Sequence, residues 1–457
     1  MEKIKDSSYF ATAPIGRLIA AFAIPSIISL VVNALYNIVD QIFIGQGVGY
    51  LGNAATTIVF PITVVATALA LLIGDGGAAF LSLKLGEGDN EKATKGVGNS
   101  IVILIAAGII LLIVSLLFLK PLLKLFGGTD AVMPYALSYG WIIVIGLPFV
   151  VISTGLNSMI RADGNPKMAM ISMLLGAVIN TILDPIFIFV FKWGVQGAAL
   201  ATILGQLASL IVSVVCIRKL RSVSLKRNSF RLNGEIVRLC CTLGLSSFIT
   251  QIAIVIMSAL CNNLLAKYGA LSKYGAEIPI TVLGIVMKVN QIMIAILIGI
   301  ASGAQPILGY NYGIGNMKRV KKTYGFMLIA SFCVSIFACV MFQCFPQSII
   351  NIFGSESSLY NEFAIKAFRI FLMMCIPTSY QVASSIFLQA IGKPLPSMVS
   401  ALLRQLIIFV PAAVILPMIF GVEGVLWAGP IADLSSAVIT LFMIQFVMKK
   451  EKEREMR

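Results

Sequence analysis

Leu85-Gly86-Glu87-Gly88-Asp89-Asn90-Glu91-Lys92-Ala93-Thr94-Lys95 returns 227 residues later as Tyr312-Gly313-Ile314-Gly315-Asn316-Met317-Lys318-Arg319-Val320-Lys321-Lys322. The same offset carries Phe126-Gly127 to Phe353-Gly354 and Gly194-Val195-Gln196-Gly197 to Gly421-Val422-Glu423-Gly424. With a slip of one, Arg161-Ala162-Asp163-Gly164-Asn165-Pro166 comes back as Gln389-Ala390-Ile391-Gly392-Lys393-Pro394. Apolar matches arise by chance, but Gly, Pro and basic residues held at one offset through four loops indicate duplication of one long unit. Each unit is strongly apolar, so the expectation is a membrane protein of two like halves around a central path.

Composition agrees. The 457 residues are 59% hydrophobic and 12% charged, with a mean hydropathy of +0.98, against about 25% charged in soluble chains. Apolar runs long enough to cross about 30 Å of hydrocarbon fall at 16–44, 54–84, 96–119, 133–160, 168–190 and 194–217, then at 239–266, 278–309, 323–343, 362–390, 396–418 and 424–448. The predicted fold is therefore all-α and polytopic, with twelve transmembrane helices in two parallel six-helix repeats. An N-lobe covers 1–217, a basic linker 218–238, a C-lobe 239–448 and a tail 449–457. The length of the linker is expected to let the lobes move while staying tethered.

The linker holds Arg218, Lys219, Arg221, Lys226, Arg227, Arg231 and Arg238, and the tail Lys449, Lys450, Lys452, Arg454 and Arg457. Loops on the opposite side hold Lys120, Lys124, Lys192, Lys267 and Lys273. The positive-inside rule then places both termini and the linker in the cytoplasm of a multi-pass plasma-membrane protein. It accounts for the net charge of +15 with no nucleic-acid partner. The first apolar run is too long for a signal peptide and reads as a retained first helix. The chain has no histidine, which removes His-dependent triads, the usual zinc sites and His proton relays. Its eight cysteines show no CxxC pair or metal-ligand spacing and read as reduced core residues. No cofactor is expected.

Ionisable groups inside apolar helices cost at least about 2.5 kcal/mol each unless they face a cavity or a partner. Asp40 shares one predicted helix face with Asn33, Tyr36 and Asn37, at spacings of three, four and seven. Asp184 follows Asn180 by one turn, and Thr202 and Tyr139 reach similar depths. These groups are expected to form one N-lobe pocket. Two adjacent carboxylates can share a proton, and oxygens of Asp40, Asn180, Asp184 and Thr202 equally suit Na+. Asn33, Tyr36, Asn37, Tyr139 and Asn157 are candidates to line a substrate cavity, with Lys288 and Asp433 from the second half. Lys288 and Asp433 are expected to compensate one another; Arg404 is expected to be buried in helix 11. Asp75, within Gly74-Asp75-Gly76-Gly77, sits either at a close helix contact or in a vestibule. Carried forward by 227, Asp184 meets Pro411 and Asn180 meets Ile407, so the acidic pocket is not duplicated. Nineteen methionines and 27 phenylalanines supply deformable surface for flat cations, although most must be core or lipid-facing.

Taken together, the duplicated Gly-x-Gly loops, Arg161-Ala162-Asp163-Gly164-Asn165-Pro166, Asn180-Thr181-Ile182-Leu183-Asp184-Pro185 and Gly194-Val195-Gln196-Gly197-Ala198-Ala199 resemble the MATE family, multidrug and toxic compound extrusion. The MepA-like branch, with DinF-type relatives, is the nearest, and the resemblance runs over nearly the whole chain. It implies a V of two six-helix lobes and antiport of cationic or amphipathic drugs against inward H+ or Na+. It also carries the ion-coupling role onto Asp40 and Asp184, with Asn180 and Thr202 beside them. Another branch uses acids on helices 7 and 10; here Ser246-Ser247-Phe248-Ile249-Thr250-Gln251 and the stretch from Thr378 to Gln389 contain none. A flippase for lipid-linked precursors is the nearest competing class, and would need a cationic cavity for pyrophosphate and commonly extra helices. A membrane enzyme would need a catalytic pair that the sequence does not show. The expected partners are small-molecule drugs and the surrounding lipid, and the chain is expected to function as a monomer.

Overall fold

The duplicated loops start helices in the same way in both halves. Gly88 and Gly315 take φ of 78° and 77°, a region that glycine enters without a Cβ clash. The next side chain then caps the helix, Asp89 accepting from the Lys92 amide at 3.0 Å and Asn316 from the Arg319 amide at 3.1 Å. Such caps satisfy one of the orphan N–H groups of the first turn. Gly164 and Gly392, and Gly194 and Gly421, repeat the pattern with φ of 88° and 72°, and of 55° and 60°.

The computed structural model describes residues 9–275, 277–353 and 358–455. Gly354 of the repeated Phe-Gly pair and Arg457 of the basic tail lie outside the described residues. The first half holds α1 (Ile15–Val48), α2 (Tyr50–Gly86), α3 (Asn90–Leu125), α4 (Met133–Ala162), α5 (Pro166–Pro185, continued by a π turn Ile186–Val190) and α6 (Gly194–Ile217). The second holds α7 (Gly234–Ala270), α8 (Glu277–Gly313) and α9 (Met317–Cys344). Then come α10 in two segments (Ser358–Phe371 and Cys375–Ala390), α11 (Pro394–Leu402, prolonged through Leu403–Ile408 and Phe409–Phe420) and α12 (Val422–Glu455). Among the described residues, eleven helices are long and apolar enough to cross a membrane, and the bent α10, taken as one span, makes the twelfth. The chain is thus a multi-pass membrane protein.

Even the irregularities recur. The α3 backbone leaves helical geometry at Phe118 (φ −113°, ψ 16°), and α9 ends at Phe345 (φ −123°, ψ 37°), 227 residues on. Pro121 and Pro346 lie just beyond, each unable to donate to the preceding turn. The α10 break has no counterpart in α4. Its segments are bent by 48°, and Pro377 leaves the Met373 carbonyl without its helical donor. The Cys339 thiol takes that carbonyl at 3.8 Å, and the Cys375 thiol takes Leu372 at 3.0 Å. All eight cysteines are free; four are buried, while Cys333 and Cys344 are exposed on α9.

Each half has its own apolar core. The α3 side chains Ile109, Ile110, Ile113 and Leu117 instead face outward, as lipid-facing positions should. The two halves meet at the end that carries the linker. There a Cβ on Gly244 of α7 would stand 1.8 Å from the Leu72 carbonyl oxygen of α2, so only glycine admits this approach. The start of α1 also docks on the second half. Phe10, Leu18, Phe22 and Ala23 pack with Ile307 of α8, while Asn311 and Arg319 donate to the Phe10 carbonyl, each at 3.0 Å. At the far end α1 leans on α5 instead, with Phe43 edge-on to Phe189 at 6.3 Å.

The linker is pinned rather than slack. Asn99 of α3 donates to the carbonyls of Ser229 and Arg231 and accepts from the Asn233 amide at 2.7 Å. Asp163 accepts from the amides of Arg221 and Ser222 at 2.8 and 2.9 Å. Five backbone groups of the linker thus bond to the first half, the last of them at Asn233, where the chain enters α7.

Candidate functional site

Two glycines bring the acidic pocket together. Gly176 of α5 and Gly205 of α6 face one another, and a Cβ on Gly205 would lie 2.5 Å from the Gly176 carbonyl oxygen. The close approach sets Asn180, one turn after Gly176, beside Thr202, one turn before Gly205. The Asn180 amide donates to the Asp184 carboxyl and to the Thr202 hydroxyl, both at 3.3 Å. Past Asp184, Pro185 and the π turn widen α5, an irregularity common at functional positions. On the other side α1 brings Asp40, whose carboxyl faces that of Asp184.

Tyr36 and Tyr139 close the pocket. Tyr36 meets Gln206 and stands near both acids, and Tyr139 lies near Asp40, Asp184 and Tyr36. Asp184 is 0% exposed and Asn180 2%. Within this group Asp40 Oδ1, Asp184 Oδ2 and Asn180 Oδ1 have no hydrogen-bond donor. Buried acceptors left without a donor cost roughly 1–3 kcal/mol each, so the cluster favours a proton or a cation. Because α1 continues to Val48, Asp40 lies eight residues from its far end, deeper than the sequence run suggested and level with Thr202.

Other predicted site residues lie at the edge of this pocket or apart from it. Asn33 and Asn37 lie on a neighbouring stripe of α1 that also carries Gln41; the Asn37 amide donates to the Asn33 carbonyl at 2.7 Å, and the Asn37 side chain meets Tyr36 at the edge of the pocket. Eighteen residues separate Asn157 from Tyr139 along α4, about 27 Å at 1.5 Å per residue, so the two cannot share a site. Asn157 is buried at the linker end. The expected pairing of Lys288 with Asp433 is not formed. Asp433 is held by Arg404, Nε to Oδ1 at 2.7 Å, because the α11–α12 contact brings the guanidinium to it. Lys288 reaches instead to Gln41 of α1 at 3.3 Å.

Asp75 sits at a close helix contact. Its carboxyl accepts from Ser158 of α4 at 2.7 Å and Ser247 of α7 at 2.9 Å, with Arg161 3.9 Å away. Arg161 also donates to Ser158 at 2.9 Å. One carboxylate therefore clasps the two halves at the linker end. Gln206 and Ser247 were not singled out from sequence. Gln206 was legible, since it lies one turn beyond Thr202 on the same face; Ser247 carries no such signal.

Comparison with known proteins follows the same lines. A sequence model of the MatE family matches residues 25–186 and 246–415. Among curated proteins, the multidrug export protein MepA of Staphylococcus aureus is 24% identical over 439 residues, covering 95% of both chains. An FAD transporter of Shewanella oneidensis is 23% identical over 463 residues, covering 98% of both. A multidrug resistance MATE family transporter in an outward-facing conformation superposes with a TM-score of 0.91 at 23% identity, over 99% of this chain and all of that one. A MOP superfamily transporter from Pyrococcus furiosus, described by the reversed polarity of its binding pocket, gives 0.90 at 23% identity over the same shares.

Proposed function

Because the chain belongs to the MatE family, a family of transporters, we propose that it exports cationic and other amphipathic organic compounds across the cell membrane in exchange for an inward-moving ion. The observation that carries this is the Asp40–Asp184 pair with Asn180, a buried cluster with three acceptor oxygens lacking donors. The reading places the termini and linker in the cytoplasm, by their positive charge. The halves then touch on the cytoplasmic side and part toward the outside. Both walls of the path come from one chain, which suits a monomer.

Coupling follows from geometry. Binding of an ion at the acid pair neutralises like charges that otherwise repel in a low-dielectric site. The compound and the ion then compete through the position of α1, whose far half carries Asp40 and whose start is fixed to the second half. Moving to the opposite state requires the Asp75 clasp to release. The proton is the preferred coupling ion, because two facing carboxyls can hold one between them. Sodium is the second reading, favoured by the neutral oxygens of Asn180 and Thr202.

Drug-driven ion flux in proteoliposomes tests both. Export driven by a pH gradient in sodium-free buffer, with Thr202→Ala largely active, supports the proton. An absolute sodium requirement, with weakened apparent sodium affinity in Thr202→Ala and Asn180→Ala, would replace it with sodium. Absence of any gradient-driven flux would remove the antiport reading.

A further inference from the structure

Helices α1 and α8 form a wedge. Near its apex the backbones touch: a Cβ on Gly299 would come within 2.7 Å of Ile27 Cα, and one on Gly303 within 2.6 Å of the Ala23 nitrogen. Toward the far end a single long side chain crosses, Lys288 Nζ donating to Gln41 Oε1 at 3.3 Å. One turn further out, a Cβ on Gly284 would meet nothing within 4 Å.

That hydrogen bond fixes which faces look at each other. Gln41 shares a stripe of α1 with Asn33 and Asn37, and Lys288 shares a stripe of α8 with Thr281 and Gln291, at helical spacings of four, three and seven. Asn37, Thr281 and Gln291 are exposed. Exposed polar stripes inside a membrane belong to a watery cleft and not to lipid. Among the described residues, no carboxylate pairs with Lys288. Asp433 is committed to Arg404, Asp75 is taken by Ser158 and Ser247, and Asp40 and Asp184 face one another within the first half. The wall of the cleft thus presents one fixed positive charge whose partner is a neutral amide.

The geometry points to Lys288 as the anchor for an anionic group, phosphate or carboxylate, on the transported compound, an assignment that rests on the transporter reading above. An ammonium has three donors, and Gln41 takes one. The remaining two can form charge-assisted bonds, which are about twice as strong as neutral ones. The amides of Asn37 and Gln291 offer further donors to the same group. Substrates of this site are amphiphiles carrying an anion, with or without a cationic centre of their own.

Binding of flavin mononucleotide and of riboflavin to the full chain in phosphatidylcholine nanodiscs tests this, since the two ligands share a ring system and differ by a phosphate. Wild type should bind the phosphate-bearing flavin roughly tenfold more tightly, the difference one charge-assisted contact supplies. Lys288→Gln should level the two by weakening the phosphate-bearing flavin about tenfold relative to riboflavin, and Lys288→Arg should keep the preference. Repeating the titration in phosphatidylglycerol discs distinguishes the source. Competition that disappears in Lys288→Gln assigns the anion to a lipid headgroup, and undiminished affinity assigns it to a soluble compound. Equal binding of both flavins by wild type, or a preference that survives Lys288→Gln, would overturn the assignment. The measurement needs no ion gradient, so it stands apart from any failure of coupling at Asp40 and Asp184.

Discussion

Gln206 of α6 and Asp433 of α12 occupy equivalent places in the two repeats, 227 residues apart, and they are used in opposite ways. Gln206 reaches Tyr36 at the edge of a pocket whose acceptors outnumber its donors. Asp433 is bound to Arg404 at 2.7 Å, with both side chains 15% exposed, and its charge is cancelled where it stands. Where the first half has Asn180 and Asp184, the second has Ile407 and Pro411. Duplication preserved helix starts, turns and the irregularity shared by Phe118 and Phe345, while the α10 break and the polar side chains diverged. On the proposed reading, the first half keeps a negative imbalance available for an ion, and at the equivalent place the second half cancels its own.

The sharpest way to break this comparison is to neutralise each half in turn. Asp40→Asn and Asp184→Asn should each abolish gradient-driven export in everted vesicles while leaving the protein in the membrane, since amides keep size and much of the hydrogen bonding. The double replacement Arg404→Met with Asp433→Leu should leave coupling intact; its loss there would show that both halves handle the ion. Next in size is stability. Arg404→Met alone strands a buried carboxylate and should cost about 3–5 kcal/mol, most of it recovered in the double variant, as read by thermal unfolding in detergent.

Smaller effects probe the seam between the halves. Asp75→Ala removes hydrogen bonds to Ser158 and Ser247 that are worth about 1.5–3 kcal/mol each when charged. It should shift the population toward the state open at the linker end at least tenfold, measured by distances between spin labels on the linker-end loops of α2 and α7. Gln389→Ala, whose amide donates to Leu243 within the second half, should move those distances much less. The smallest expected change is at the repeated caps. Asn316→Ala should cost about 1 kcal/mol, and Asp89→Ala should lower the unfolding temperature in the same direction.

The repeat, the apolar spans and the pocket of Asp40, Asn180, Asp184 and Thr202 were legible in the sequence, because a polar group inside an apolar helix announces itself. What each group meets was less so. Helical periodicity tells which residues share a face but not which neighbour that face finds. Asn33, Tyr36, Asn37 and Asp40 fit one broad face, yet a rotation of about 100° between Tyr36 and Asn37 sends Tyr36 and Asp40 into the first half and leaves Asn37 at its edge, in contact with Tyr36. Lys288 and Asp433 matched in depth, but depth leaves azimuth open, and Arg404 had the better angle. Asp75 could be placed at a helix contact by its glycines, while Ser247, one of many serines in apolar surroundings, gave no sign of being its partner. The α10 break followed Pro377, but the repeat itself argued for continuity, since α4 carries Pro148 without breaking.

The docking of the start of α1 on α8 and α9 sets an order in time. The bond from Arg319 to the Phe10 carbonyl spans 309 residues. At synthesis rates of roughly 5–20 residues per second, the segment around Phe10 waits about 15–60 s for the groups that will hold it. During that interval Phe10, Leu18 and Phe22 have one another but lack Ile307 of α8, and the first half can be complete in every other respect. A ribosome stalled after α6 would therefore display a finished acidic pocket with an undocked leading segment, which closes onto the second half only once α8 and the start of α9 have been made.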